Sequence, residues 1–241
     1  MRVELGPAID LRGGKCVRLL QGDYDRETVF GDDPVAMVRR FVAQGAKRLH
    51  IVDLDGAKAG RPVQADLIAR MVAAAGVPCQ LGGGIRSLET AKAYAEAGVA
   101  RLVVGSVAIE QPALLEELAT ALPSRIVLGL DARDGRVAVR GWLETSPLTA
   151  VAVARRHEGL PLAGIVYTDI ATDGMLAGPN LAALEEMIRA VKLPVVASGG
   201  IATVEDLRQV ARIGADGCIV GRALYDGGLS LADAAIACGE A

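Results

Sequence analysis

Aromatic side chains are scarce in this chain: 3% of 241 residues, with one tryptophan and two phenylalanines. A core of that composition must be built from Val, Ile, Leu and Ala, as in parallel sheets buried on both faces. Histidine is scarcer still, and neither His50 nor His157 has another ligand type at metal or nucleophile spacing. His50 reads as sheet core and His157 as helix surface. The four cysteines, Cys16, Cys79, Cys218 and Cys238, form no C-x-x-C pair. They read as free thiols in a reducing cytoplasm, which excludes a disulfide framework. There is no dense basic tract, and the formal net charge is −3, so nucleic acid is not an expected partner. The longest charge-free window, Met71 to Ile85, contains Pro78 and Gly82-Gly83-Gly84, which excludes a membrane span there. A strand pattern begins at once with Arg2 and Glu4, leaving no signal-peptide core, and a cytoplasmic location is expected.

What the chain does have is glycine, 29 residues of it, and a hydrophobic fraction of 51%. Short apolar runs alternate with amphipathic stretches throughout. Strands are expected at 4–10, 48–53, 79–82, 101–105, 126–131, 164–169, 195–198 and 217–221. Helices are expected at 34–44, 63–75, 88–97, 112–121, 147–157, 181–191, 204–213 and 231–237. Ser87 and Thr203 are N-cap candidates, with Gly98 and Gly214 as the matching stops. Strict β-α alternation predicts an α/β fold with a parallel sheet. Eight units in this length predict a closed (β/α)8 TIM barrel, a single domain over 1–241 with no Pro/Ser-rich linker.

The second half repeats the first. A shift of 116 positions puts Gly83-Gly84-Ile85 on Gly199-Gly200-Ile201, Asp53 on Asp169, Pro78 on Pro194 and Val104-Gly105 on Val220-Gly221. The opening strands need a shift of 121, which carries Ala8-Ile9-Asp10-Leu11-Arg12-Gly13 onto Gly129-Leu130-Asp131-Ala132-Arg133-Asp134. The barrel is therefore expected as two duplicated half-barrels, about 1–120 and 121–241, and a site in one half should have a counterpart in the other.

Two features carry chemistry. Gly83, Gly84, Arg86, Gly105 and Ser106 follow the third and fourth strands; Ser198, Gly199, Gly200, Gly221 and Arg222 follow the seventh and eighth. Glycine-lined turns beside helix N-termini expose backbone N–H groups where the helix dipole favours an anion. Two such cradles imply a ligand with a phosphate at each end. For either cluster alone, tight turns are an equally good reading. Asp10 and Asp131 end the first and fifth strands, which are opposed in an eight-stranded barrel, on the face where such barrels keep their chemistry. Opposed carboxylates in different surroundings can serve as acid and base. Asp53 and Asp169 end two other strands and read as loop-orienting or hydroxyl-binding groups. Thr168 stands where the first half has Val52, able to hold substrate or an aspartate, or to be a simple strand former. Asp173-Gly174 reads as a turn open to ligand contact. Trp142 follows Gly141 just past the fifth strand, a packing anchor or a flat surface for a heteroaromatic ring. The segment Gly13–Asp33 is long for a βα loop and reads as a lid.

In order along nearly the whole chain, the stretches Pro7-Ala8-Ile9-Asp10-Leu11-Arg12-Gly13-Gly14, Gln21-Gly22-Asp23, Gly82-Gly83-Gly84-Ile85-Arg86, Val139-Arg140-Gly141-Trp142, Thr168-Asp169-x-x-x-Asp173-Gly174 and Ser198-Gly199-Gly200-Ile201 resemble one family. It is the sugar isomerases of histidine biosynthesis, the phosphoribosylformimino-5-aminoimidazole carboxamide ribotide isomerases. The resemblance implies a duplicated (β/α)8 barrel, a small bis-phosphorylated substrate, and an Amadori rearrangement of aminoaldose to aminoketose without metal or cofactor. By position it implies Asp10 as the general base at C2, Asp131 as the general acid at the ring oxygen, and Thr168 in support. A monomer without nucleic-acid or membrane partners is expected. The sister cyclase subunit of imidazole glycerol phosphate synthase has a lysine where this chain has Arg18 and a cysteine where it has Ala8. A bifunctional isomerase acting also on phosphoribosyl anthranilate fits Arg140 and Trp142 equally well. A non-catalytic phosphosugar-binding subunit is disfavoured by retention of Asp10 and Asp131.

Overall fold

The computed structural model describes residues 2–240. Eight parallel strands close a barrel: β1 (Glu4–Arg12), β4 (Leu49–Asp53), β5 (Cys79–Gly82), β6 (Arg101–Val104), β7 (Ile126–Arg133), β10 (Gly164–Asp169), β11 (Val195–Ser198) and β12 (Gly217–Val220). Each pairs in parallel with the next, and β12 returns to β1 with Glu4 opposite Gly217. All eight are where the apolar runs predict strands. Successive side chains on a strand point to opposite faces, so each strand serves two cores. Leu49, Ile51, Leu81, Leu102, Ile126 and Leu128 pack outward under the helices, while Ala8, Val127, Val166 and Ile219 fill the barrel. The aliphatic core forecast by the scarcity of aromatics is this double layer.

The outer helices are α1 (Pro34–Ala43), α3 (Ala65–Ala75), α4 (Leu88–Glu96), α6 (Pro112–Ala121), α7 (Ala150–His157), α8 (Leu181–Ala190), α9 (Val204–Arg212) and α11 (Leu231–Ala237). Ser87 caps α4 by accepting from Thr90 N, and Thr203 caps α9 within a capping box closed by Asp206. Three short helices that the 3.6-residue pattern is too brief to reveal follow strand ends directly: α2 (Leu54–Ala59), α5 (Val107–Glu110) and α10 (Arg222–Tyr225).

Three expectations need correction. The lid segment is not a loop but a hairpin, β2 (Lys15–Leu20) and β3 (Asp23–Gly31), that extends β1, with Asp10 opposite Val17. β7 extends likewise into β8 (Arg136–Val139) and β9 (Glu144–Thr149). Most of β3 and β9 is solvent-exposed, so neither shows the alternation of a half-buried strand. Helix α7 starts at Ala150 because Pro147 belongs to β9, and Thr149 caps it by accepting from Ala152 N. His157 is buried, not on the surface. Ala150, Val153, Ala154 and His157 form one inward stripe of α7, and the His157 ring donates from Nε2 to Ala108 O at 3.2 Å.

The internal repeat extends to contacts. A Cβ on Gly83 would lie 2.2 Å from Asp53 O, and one on Gly199 would lie 2.6 Å from Asp169 O. Gln64 Nε2 donates to Asp53 at 3.2 Å, and Asn180 Nδ2 donates to Asp169 at 2.7 Å. Every one of these pairs is related by the same 116-position shift. The four cysteines are buried and unbridged. No described helix is long and apolar enough to cross a membrane.

Candidate active site

At the C-terminal mouth of the barrel lies a cavity of about 210 Å³ whose lining includes Asp10, Arg18, His50, Asp131, Trp142, Thr168 and Asp173. β1 and β7 are separated by three strands on either side, so Asp10 and Asp131 confront each other across it. Val52 is beside Asp10 in the ladder, and Thr168 is beside Asp131. The first wall of the cavity includes Gly83, Gly84, Arg86, Gly105 and Ser106. A smaller adjoining cavity of about 20 Å³ is lined by Ser198, Gly199, Gly200, Gly221 and Arg222, and shares Arg18 and Asp173 with the main one. The two glycine clusters thus flank the carboxylates.

The two opposed aspartates have different surroundings. Burial raises both above the ordinary carboxylate range. Asp10 is held back by Arg18, whose Nη1 lies 2.8 Å from Asp10 Oδ2. Asp131 has no such cation. It accepts from the Thr168 hydroxyl and from Trp142 Nε1, the latter at 2.7 Å, and both bonds favour its charged form.

Two participants were not legible as such. Arg18 is 8% exposed, on β2 within the apolar run Cys16–Leu20, and packs so closely on Gly221 that a Cβ there would fall 1.9 Å from Nη2. A lone arginine in an apolar run is the signal that could have singled it out. Asp173, read as part of a turn open to ligand contact, reaches into both cavities. Burial pushes its carboxyl up to about 6; Arg18 opposes this, while Asp10 and Asp131 add to it.

Asp169, read as loop-orienting or hydroxyl-binding and placed among the substrate-binding candidates, lines neither cavity. Its carboxylate accepts from Ala171 N and Asn180 Nδ2 and organises its own loop. Asp53 does the same on the other side, with Gly56, Val63 and Gln64. Each glycine cradle continues into a short helix, α5 after Ser106 and α10 after Gly221, and neither helix has a side-chain cap on its first N–H groups. A short extra helix of this kind supplies the phosphate site in many such barrels. Arg86 is tied to Glu110 at 3.0 Å and Arg222 to Asp226 at 2.8 Å, and Glu110 and Asp226 again correspond under the 116 shift. Among the described residues, no group of three or more His, Cys, Asp or Glu is arranged to hold a metal ion.

A family model described as histidine biosynthesis protein matches residues 4–230. The chain belongs to that family. A relative from Synechococcus sp. (strain RCC307) is 54% identical over 238 residues, covering 99% of this chain and 94% of its own length. Relatives from Desulfosudis oleivorans and Rhodopseudomonas palustris (strain BisA53) are 52% and 50% identical, covering 95% and 98% of this chain and 92% and 98% of theirs. All three carry the name of an imidazole-4-carboxamide isomerase, and that name contains two phosphoribosyl groups. Within this histidine biosynthesis family, the first-to-last coverage takes in both glycine cradles and every carboxylate in the cavity.

Proposed function

We propose that this chain is a sugar isomerase of histidine biosynthesis. It converts an N-linked aminoaldose carrying two phosphoribosyl groups into its aminoketose by an Amadori rearrangement. The observation that carries the reading is the opposed pair Asp10 and Asp131, set between two separate anion cradles. The cradles suit the two phosphates of one elongated substrate and leave its first ribose between the carboxylates.

The chemistry requires an acid and a base. The acid protonates the ring oxygen as the C1–O bond breaks, leaving a positively charged open-chain Schiff base. The base then removes the C2 proton, and its electron pair forms the C1=C2 bond of an enaminol. Loss of the hydroxyl proton and protonation at C1 complete the ketone. Asp10 suits the base, because Arg18 favours its ionised form. Asp131, which burial raises, suits the acid, and Asp173, pushed to about 6, is a second carboxyl able to hold a proton near neutrality. Thr168 and Trp142 fix Asp131 by donating to it. Asp131 thus keeps the acid role that the resemblance gives it, and the asparagine variants of Asp131 and Asp173 test the choice between the two.

The shared contacts at a 116-position spacing support a barrel of two duplicated halves, about 1–120 and 121–241. We take the protein to act as a cytoplasmic monomer on this small substrate, a state that light scattering would test. The deciding experiment assays the purified protein side by side with the histidine-pathway aminoaldose and with phosphoribosyl anthranilate, alongside Asp10→Asn, Asp131→Asn and Asp173→Asn. Turnover of the first substrate alone, abolished by Asp10→Asn through kcat and not KM, is expected. Near-normal kcat in Asp10→Asn would sink the mechanism, and turnover of both substrates would make the enzyme bifunctional.

A further inference from the structure

The turn between β2 and β3, Gln21-Gly22, makes contacts that a solvent-facing hairpin turn has no need to make. Gln21 N donates to Asp173 O at 3.2 Å, and Gln21 Nε2 donates to Ala171 O at 2.8 Å. Gly22 has φ +73°, and a Cβ built there would lie 2.0 Å from Trp142 Cε3, 2.8 Å from Cζ3 and 3.0 Å from Cδ2. The turn therefore lies flat on the benzo ring of the indole, while the opposite edge of that indole donates to Asp131 at 2.7 Å. The segment carrying the indole is strained. Arg140, Gly141 and Trp142 have φ of +55°, +65° and +71°, a run of left-handed residues that two non-glycines adopt only where surrounding contacts over-determine them. Gly141 is itself closely packed, with Tyr24 Oη 3.3 Å from where its Cβ would stand. Both the Trp142 loop and the Asp173 loop are thus held by one hairpin, and at Gly22 the fit requires the absence of a side chain.

We propose that Gly22 is a positioning residue: by lacking a Cβ it lets the hairpin turn clamp the Trp142 indole onto Asp131 while Gln21 fixes the loop of Asp173. Its effect is on the carboxylates and not on the fold. The clamp joins two sides of the cavity, so a side chain at position 22 must either push the indole off Asp131 or lift Gln21 from Asp173. The kinetic consequence rests on the isomerase reading; the placement of the indole does not.

Trp142 is the only tryptophan, so its emission and quenching by iodide report this contact alone. In Gly22→Ala, emission is expected to shift to the red and quenching to rise, with far-UV circular dichroism unchanged. Measured with the aminoaldose, kcat is expected to fall about 10–100-fold, as for a displaced catalytic group, with KM held within about threefold. Gly13→Ala is the control. It places a side chain at φ +55° in the β1–β2 turn, at the other end of β2, with nothing within 4 Å, and should leave emission and quenching as in the parent. Should Gly22→Ala fail to fold, Gln21→Ala removes the bond to Ala171 without adding bulk and should raise quenching by itself. Wild-type emission and quenching in the folded Gly22 variant, or in Gln21→Ala if that variant does not fold, would overturn the clamp. An exposed indole with undiminished kcat would overturn its positioning role. If the parent protein turned over no aminoaldose at all, the isomerase reading would fall while the fluorescence arm still decided the clamp.

Discussion

Arg18 Nη1 lies 2.8 Å from Asp10 Oδ2, and both side chains are almost wholly shielded from solvent. Burial raises the Asp10 carboxyl and Arg18 restrains it. A general base works only when ionised, so activity is lost as pH falls through its pKa. Removing the restraint moves that loss to higher pH. Arg18→Met is therefore expected to shift the acid limb of the kcat/KM profile upward and to lower activity at neutral pH by about 10–100-fold. Arg18→Lys, which keeps charge without the planar fork, should fall between. An acid limb at the parental pH in Arg18→Met would show that Asp10 does not depend on this cation.

The glycines of the cradles separate into two physical kinds. At Gly83 and Gly199 a Cβ would meet the carbonyl oxygens of Asp53 and Asp169 at 2.2 and 2.6 Å, and both have positive φ. Alanine at either position is expected to destabilise the fold by about 2–4 kcal/mol, by similar amounts in the two halves. At Gly105 the nearest atom to an added Cβ is Gly129 O at 3.5 Å, which is ordinary contact. Gly105→Ala should leave the melting temperature nearly unchanged and raise KM for the phosphorylated substrate, because the methyl group stands between the anion and the backbone. Thermal melts and KM on the three variants test both statements. Equal melting temperatures for all three would refute the distinction.

The sequence made the barrel legible because a strand buried on both faces is a continuous aliphatic run, and eight such runs are separated by glycine and helix caps. The repeat disclosed both glycine clusters for the same reason: Gly83-Gly84 and Gly199-Gly200 are fixed by backbone collisions that no other residue avoids. The hairpins stayed hidden because β3 is polar and exposed on both faces. Arg18 lies only eight positions from Asp10, but the strand pairing that brings them together falls in a segment read as a loop, while Asp173 is far along the chain from Asp10. Nothing near Arg18 indicates that it will meet Asp10 across a hairpin, and nothing near Asp173 indicates two more carboxylates beside it. Asp169, by contrast, could be read from its strand end as either a loop-orienting or a ligand-binding group, and its contacts are those of the first. Its partner Asn180, eleven residues on, was the overlooked sign of a structural role.

His50 sets part of the acid stability of the protein. It is 9% exposed, and its Nδ1 is 2.9 Å from Gln80 Nε2. Burial first, then Arg18, lowers its pKa to about 4 from an ordinary value of 6.5. The unfolded chain thus binds the proton more readily, and stability declines as pH falls from about 6.5 to about 4. The loss attributable to this group is up to about 3 kcal/mol. His50→Gln, which cannot take up a proton, should flatten that decline in denaturant titrations across the same window. An identical decline in the variant would mean that other groups drive it.

Asp173 works in the opposite sense, because its folded pKa of about 6 is above the ordinary 3.8. Here the folded protein binds the proton more tightly than the unfolded chain. Stability therefore falls as pH rises from about 4 to about 6, and the penalty persists at higher pH. For a group that is only half-buried, this penalty is on the order of 1–2 kcal/mol. Asp173→Asn removes the charge and keeps the shape, so at pH 8 it should be more stable than the parent by about that amount, and the advantage should vanish near pH 4. If Asp173 and not Asp131 is the acid, the same substitution abolishes the basic limb of the kcat profile together with most of kcat, because the asparagine has no proton to give to the ring oxygen. A variant that is stabilised at pH 8 and inactive identifies Asp173 as a strained group kept for its chemistry. One that is stabilised but retains the parental basic limb leaves the acid role with Asp131, whose own asparagine variant should then lose that limb.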